Sequence, residues 1–309
     1  MKDNVVIGTR GSMLALWQAE WIKSLIMELN PSLTVELMKI KTTGDKIQDV
    51  PLAQVGGKGL FVKEIEEAMM RGEIDLAVHS MKDVPTVLPE ELHITCITKR
   101  EDPRDALISN KYDSLESLPE GATLGTSSLR RSCQIKALRP DINIVSLRGN
   151  FDTRIRKLDE GQFDAIILAA AGANRLGLTG RVKQYIGAEV SLPAIAQGAV
   201  GIECRKDDDF INSLLAPLSH EESAICVTAE RAALLKLEGG CQVPIAAHAV
   251  LEGGRLLMKG LVGSVDGSVI IRAEKAGDPK DAYDIGIALA EDLLSQGADK
   301  ILAEVYGAQ

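Results

Sequence analysis

Apolar residues fall along the chain in short runs, separated by longer stretches in which they recur every three or four positions. The first run, Val5 to Gly8, reads as a strand. Thr9-Arg10-Gly11-Ser12 follows, and Ser12 is placed to cap a helix reaching about Leu29, with Leu14, Trp17, Trp21 and Leu25 as its buried stripe. Thr34 to Lys41 reads as a second strand, and Val55-Gly56-Gly57-Lys58-Gly59-Leu60-Phe61 leads into a helix ending near Gly72. The next run, with Ile74, Leu76, Ala77 and Val78, opens into His79, Ser80, Lys82 and Asp83 before Pro85 stops any regular element. Another strand lies near Ile94–Thr98, and the charged, proline-bearing residues 99–104 mark an exposed crossover. Strands near Ala106–Ser109, Thr123–Gly125, Ile142–Leu147 and Phe163–Ala169 then alternate with helices near Leu129–Leu138 and Thr153–Glu160, the βαβ rhythm of a second parallel-sheet unit. Residues 191–198 form a second crossover, after which Val200–Cys204 returns as a strand to the first sheet. Two crossovers between two α/β lobes imply a hinged cleft, a common place for a ligand.

The pattern changes after Ser219. A helix from about Glu222 to Leu237 precedes Gly239-Gly240-Cys241-Gln242-Val243-Pro244. Alternating strands follow around Ile245–Leu251, Leu256–Val262 and Ser268–Glu274, parted by the Gly253-Gly254 and Asp266-Gly267 turns. Asp278-Pro279 opens a final amphipathic helix in N-cap and N1 positions. The expected domains are therefore 1–98 with 199–217, 99–198, and an α+β unit with an antiparallel sheet at 218–309.

Composition adds exclusions. The 309 residues are 45% hydrophobic and 26% charged, as in a soluble globular protein, and no apolar run nears the ~20 residues of a membrane helix. The start, MKDNVVIGTR, enters a strand almost at once, which leaves no room for a signal peptide and points to the cytoplasm. A formal charge of −9 argues against nucleic acid as partner. The five cysteines and four histidines are scattered without metal-ligand spacing, so no metal is expected.

Within this acidic chain, Arg130 to Lys157 holds eight basic residues against two acidic ones. Ser127-Ser128-Leu129-Arg130-Arg131 opens a helix and Leu147-Arg148-Gly149-Asn150 closes a strand, so Arg130, Arg131, Arg148 and Arg154 suit an anion site. Lys136, Arg139, Arg156 and Lys157 are expected on a solvated outer face. Asp83 stands just past the carboxyl edge of a buried strand, where open α/β sheets present groups to ligands; the same position also suits a turn-capping Asp. Cys96, Cys204 and Cys226 sit in apolar contexts as packed thiols, and Cys133, on the basic helix, fits either role. Cys241, in a turn after two glycines, is a candidate nucleophile, an attachment point or a structural loop cysteine. Residues 55–61 lack the GxxxxGK[ST] spacing of a phosphate loop and read as a glycine-rich lid carrying Lys58 and Phe61, or as an ordinary flexible loop.

Taken together, TRGSMLALWQA (9–19), GGKGLFVKEIE (56–66), DLAVHSMKDVP (75–85), GTSSLRR (125–131), LRGN with Arg154 downstream, and GGCQVP (239–244) closely resemble the porphobilinogen deaminase (hydroxymethylbilane synthase) family, in order and over almost the whole chain. VHSMKDVP and GGCQVP are specific to that family. The resemblance implies an α/β fold with two periplasmic-binding-protein-like lobes, mainly parallel sheets, and a small C-terminal α+β domain. It implies a monomer that joins four porphobilinogens, with loss of ammonia, on a dipyrromethane held by Cys241 through a thioether. Asp83 is then the catalytic carboxylate. Lys82, Ser80, Thr126, Ser128, Arg130 and Arg131 bind the cofactor. Arg10, Ser12, Gln18, Lys58, Phe61, Arg148, Arg154, Arg175 and Gln197 bind the polycarboxylate pyrrole substrate. One departure is Ala246, where the family often has glycine. Two other classes stay open on the residues alone: a two-lobed anion-binding module, and a cysteine-dependent transferase, although the latter lacks a base and a phosphate loop.

Overall fold

A computed structural model describes residues 3–46, 59–239 and 243–307, which fall into two units. The described residues of the first lie within 1–48, 57–101 and 199–224; those of the second lie within 102–198 and 225–309.

The first unit is a five-stranded sheet built from β1 (Asn4–Thr9), β2 (Thr34–Lys39), β3 (Leu76–Ser80), β4 (Leu92–Ile97) and, much later in the chain, β10 (Val200–Arg205). Its order is β2-β1-β3-β10-β4. β1 runs parallel to β2 and β3, whereas β10 is antiparallel to both β3 and β4. The sheet is thus mixed, where mainly parallel pairing was expected. β10 inserts between two strands already laid down, so no βαβ crossover dictates its direction.

Helix α1 (Met13–Leu29) covers one face, and Ser12 caps it by accepting from the Ala15 amide at 3.3 Å. Its buried side chains are Gln18, Ala19, Ile22 and Ile26, the last three packing on Val5, Ile7, Val78 and Ile202. The expected stripe is displaced by one position: Trp17 is 37% exposed and stacks on Trp21 at the border. The short α2 (Thr43–Lys46) precedes α3 (Lys63–Met70), which buries Ile65 and Met69 against Ala77 and Ile74 on the sheet's other face. Each such fully buried aliphatic contributes on the order of 1.5–3 kcal/mol.

The second unit contains a sheet of the same plan. β5 (Asp105–Ile108), β6 (Thr123–Gly125), β7 (Asn143–Val145), β8 (Ala165–Ala169) and β9 (Val182–Ile186) adopt the order β7-β6-β8-β5-β9. β6 is parallel to β7 and β8, and β5 is antiparallel to β8 and β9. Helices α4 (Leu129–Leu138) and α5 (Phe151–Asp159) lie where the hydrophobic spacing puts them; the single turn-and-a-half of α6 (Ala170–Arg175) and strand β9 are additional. Asn150 caps α5 by accepting from the Thr153 amide at 3.1 Å. Asn150→Ala is expected to lower unfolding free energy by about 1 kcal/mol, read from the urea midpoint at unchanged m-value.

Helices α7 (Asp209–Leu215) and α8 (Glu221–Lys236) precede the strands β11 (Ile245–Glu252), β12 (Arg255–Gly263) and β13 (Ile270–Gly277), an antiparallel meander. Gly253 and Gly254 both take positive φ in the β11–β12 turn, the demand of a two-residue hairpin loop. Gly267, φ +75°, approaches α4 so closely that a Cβ there would stand 2.4 Å from the Cys133 carbonyl oxygen. The expected final helix is two: α9 (Ala282–Leu293), led in by a 3₁₀ turn that Asp278 caps, and α10 (Asp299–Gly307), separated by a break at Gly297. Ala246 is buried with Leu192 and Leu261, so its methyl group is absorbed into packing. Among the described residues no helix is long and apolar enough to cross a membrane.

Candidate functional site

In the first unit, β3 ends at Ser80 and turns directly into a 3₁₀ turn, Met81–Asp83. Two backbone bonds hold that turn: the Met81 amide donates to the Ala199 carbonyl at 3.0 Å, and the Val84 amide donates to the Met81 carbonyl at 3.2 Å. Met81 is buried beneath it, leaving Lys82 and Asp83 half-buried above. Asp83 lines one pocket with Arg10, Ser12, Gln18, Phe61, His79 and Ser80. The residues following β1 and β3 thus meet at the carboxyl edge of two adjacent parallel strands, where a doubly wound sheet offers its ligand crevice.

The pocket is internally braced. Arg10 lies over the Phe61 ring, 4.3 Å from its centroid, and its Nε donates to Asp45 Oδ1 at 3.1 Å. Burial alone would raise the Asp45 pKa, but the Arg10 hydrogen bonds and charge, with Thr42, hold it below the usual carboxylate value. Gln18 Nε2 donates to Ser80 Oγ at 3.0 Å, which explains a glutamine in the buried face of α1.

In the second unit the arginines converge on a residue that sequence reasoning passed over. Asp105, 0% exposed at the start of β5, takes Arg131 Nη2 at 2.7 Å and Arg130 Nη2 at 3.0 Å on Oδ1. Its Oδ2 takes Arg130 Nη1 and Ser191 Oγ, each at 2.9 Å. Gln197 Nε2 donates to Asp105 Oδ1 at 3.0 Å and to the Pro103 carbonyl at 2.7 Å. Burial would raise the Asp105 pKa, yet the charges of Arg130 and Arg131 outweigh it and keep the carboxyl far below its ordinary value. The only sequence sign of this anchor is an acidic residue opening the apolar run Asp105-Ala-Leu-Ile. With two guanidiniums on one carboxylate, the cluster keeps one net positive charge.

Around that cluster, the Ser128 amide donates to Thr126 Oγ1 at 3.2 Å, and Ser128 caps α4. Arg175 Nη2 donates to the Gly198 carbonyl at 2.7 Å. Arg154 Nε donates to the Gly149 carbonyl at 2.8 Å. Arg148 is half-buried and burial lowers its pKa. Arg139 departs from the expected outer face, donating to the Leu115 and Leu118 carbonyls, each at 2.9 Å, and pairing with Asp141. Cys96, Cys133, Cys204 and Cys226 are buried, and burial pushes the thiols of Cys96, Cys133 and Cys204 up to about 12, 11 and 11. None of those three is poised as a thiolate. Lys58 and Cys241 lie outside the described residues.

A family model described as porphobilinogen deaminase, dipyromethane cofactor binding domain, matches residues 5–213, and one described as porphobilinogen deaminase, C-terminal domain, matches residues 224–295. Solved structures to which the chain is similar include a lipoprotein from Bacillus subtilis, at 14% identity over 71% of this chain and 91% of that chain, TM-score 0.44. The methionine-binding protein MetQ matches at 16% identity over 71% of this chain and 90% of that one, TM-score 0.43. The periplasmic VFT2 domain of Bordetella pertussis BvgS matches at 13% identity, over 69% and 86%, TM-score 0.40.

Proposed function

Because the chain belongs to the porphobilinogen deaminase family, we propose that it joins four porphobilinogen molecules, with release of ammonia, into linear hydroxymethylbilane on a dipyrromethane primer carried by Cys241. Its place in tetrapyrrole biosynthesis by pyrrole polymerisation, and its dipyrromethane cofactor, follow from the family itself. The observation that carries the finer reading is the pocket at the end of β3, where one half-buried carboxylate, Asp83, stands with Arg10 and Ser12.

The donor set suits the group. A dipyrromethane with acetate and propionate arms needs cations that stay charged, and arginine does so at any physiological pH. The net charge left on the Arg130–Arg131–Asp105 cluster, with Arg148, Lys82, Thr126, Ser128 and Ser80, supplies cationic and hydroxyl donors for those arms. When bound, the cofactor supplies the pyrrole carbon at which growth begins.

The protein's own residues do the rest. Asp83 accepts hydrogen bonds from pyrrole N–H groups, stabilises the positive charge that builds as ammonia leaves porphobilinogen, and helps move protons at the reacting carbons. Arg10, Ser12, Gln18, Arg148, Arg154, Arg175 and Gln197 hold substrate carboxylates and orient the rings. Phe61 and Lys58 belong to the glycine-rich lid. The proposed domains are 1–98 with 199–217, 99–198 and 218–309, the last bearing the attachment loop. A cytoplasmic monomer of the alkyl- or aryl-transferring class completes the reading.

Intact-mass spectrometry of enzyme that releases ammonia from porphobilinogen tests it. The chain is expected to carry one dipyrromethane, lost in Cys241→Ser. An unmodified mass in fully active material would remove the role of Cys241, and porphobilinogen binding without ammonia release would favour a binding module.

A further inference from the structure

His79 and Glu203 meet under α3, near enough to Glu66 of that helix for their charges to act on it, and none of the three has a part in the chemistry described so far. Along β3 and β10, Leu76, Val78, Ile202 and Cys204 face α1, while Ala77 packs on α3. Alternation therefore sends His79 and Glu203 to the α3 face. His79 is opposite Gly201, and Glu203 is opposite Ala77, which makes the two diagonal neighbours. His79 Nε2 stands 2.8 Å from Glu203 Oε2, with the imidazole 5% exposed and Glu203 0%. The second glutamate oxygen, Oε1, is buried without a hydrogen-bond partner. Such an atom costs on the order of 1–3 kcal/mol, a penalty that a purely structural pair at this site has no reason to carry.

Glu66, from α3, completes the group. Its carboxyl is pushed up to about 7, first by burial and then by the Glu203 charge, with His79 opposing and Glu67 adding to the rise. The remaining charges on these elements are engaged: Lys63 lies 3.9 Å from Glu67, the Thr43 amide donates to Glu64 at 2.8 Å, and Arg205 stands 3.5 Å from Asp75 and 2.8 Å from Asp208. His79 belongs to the lining of the pocket that holds Asp83, so the cluster reaches the reaction space at one end.

We propose that His79, Glu203 and Glu66 form a proton-holding chain that takes up the proton released as two pyrrole rings are joined and passes it to the ammonia already freed. The inference rests on the function proposed above. Joining the rings breaks one C–N bond and one C–H bond and forms one C–C bond. The C–H electron pair restores the aromatic ring, the proton ends on ammonia as ammonium, and nothing is oxidised or reduced. A proton arriving at one imidazole nitrogen of His79 frees the proton on the other for Glu203, and the unpartnered Oε1 and Glu66 provide its holding place. His79, Glu203 and Glu66 are thus positioning residues for the proton rather than direct partners of the rings.

The test uses the holoenzyme with Glu66→Gln and Glu203→Gln, following ammonia release against pH, and the His79 imidazole by 15N NMR. In wild type, kcat falls as pH drops below about 7, because a filled chain cannot accept; Glu66→Gln moves that limb to lower pH. Glu203→Gln lowers kcat at least about tenfold with KM within twofold, since proton transfer to a positioned group contributes 10²–10⁴. In both variants the 15N signals of the His79 imidazole move, as the group beside it has lost its charge. Superimposable pH profiles and unmoved His79 imidazole signals in Glu66→Gln, which removes only a half-buried carboxylate, overturn the chain. So does a loss of kcat matched by a rise in KM. A wild-type enzyme that releases no ammonia overturns the functional reading instead.

Discussion

Asp83→Ala is expected to abolish ammonia release from porphobilinogen and to leave the fold intact. The 3₁₀ turn that bears Asp83 is held by the Met81 and Val84 amides and by the buried Met81 side chain, so the carboxylate is not what keeps its shape. What goes is the one negative charge that the proposed chemistry uses against a developing cation. Loss of one oriented electrostatic partner costs about 10²–10³ in rate, and loss of proton transfer a further 10²–10⁴. A drop in kcat of at least about 10⁴ is expected, with a thermal midpoint within a few degrees of wild type. Asp83→Asn, which keeps the shape and loses the charge, should fall nearly as far. Turnover within tenfold of wild type in either variant removes Asp83 from the chemistry.

The largest effect on stability is expected at Asp105. Removing one partner of a buried ion pair typically costs about 3–5 kcal/mol, because the other charge is left uncompensated. Asp105→Ala leaves two guanidiniums, with side chains 5% and 6% exposed, sharing a site with no anion. Burial already presses the Arg131 pKa down even with the aspartate present. Urea unfolding should show a loss of that size. The pH dependence has a fixed sign: a carboxyl held below its unfolded value, about 4, contributes its stability fully above that value and loses it progressively as pH falls toward the folded one. The wild-type advantage over Asp105→Asn should therefore stay flat from pH 7 to about 5 and shrink steadily below about 4. An Asp105→Ala protein as stable as wild type contradicts the cluster.

Much of this fold is written locally. Helix α4 falls on its expected bounds because Ser128 signals its start and the next elements are close in sequence. Residues 75–85 hold both the buried strand and Asp83 just past its end, so that placement could be read before any tertiary contact was known, whereas Arg10, Gln18 and Phe61 join the pocket only through the fold. Long-range pairings were not legible. β9, Val-Lys-Gln-Tyr-Ile, has too little apolar character to stand out and is a strand because it lies against β5. The mixed sheets depend on where β10 and β5 insert, which no spacing rule encodes. The same holds for chemistry: Arg130 and Arg131 look unneutralised until Asp105, 25 positions upstream, is placed between them. His79 and Glu203, 124 residues apart, meet only through strand pairing.

The glycine at position 267 joins the last antiparallel sheet to this account. Its backbone lies against the Cys133 carbonyl of α4, two residues beyond Arg131, and Gly263 also faces the Cys133 sulfur. With no room for a side chain between hairpin and helix, the two elements transmit force as a solid coupling. A polyanion held by Arg130 and Arg131, as proposed above, would therefore bear on the β12–β13 hairpin as well. That hairpin belongs to the sheet whose first strand follows the GGCQVP segment, so the two arginines and the segment are joined through packed backbone.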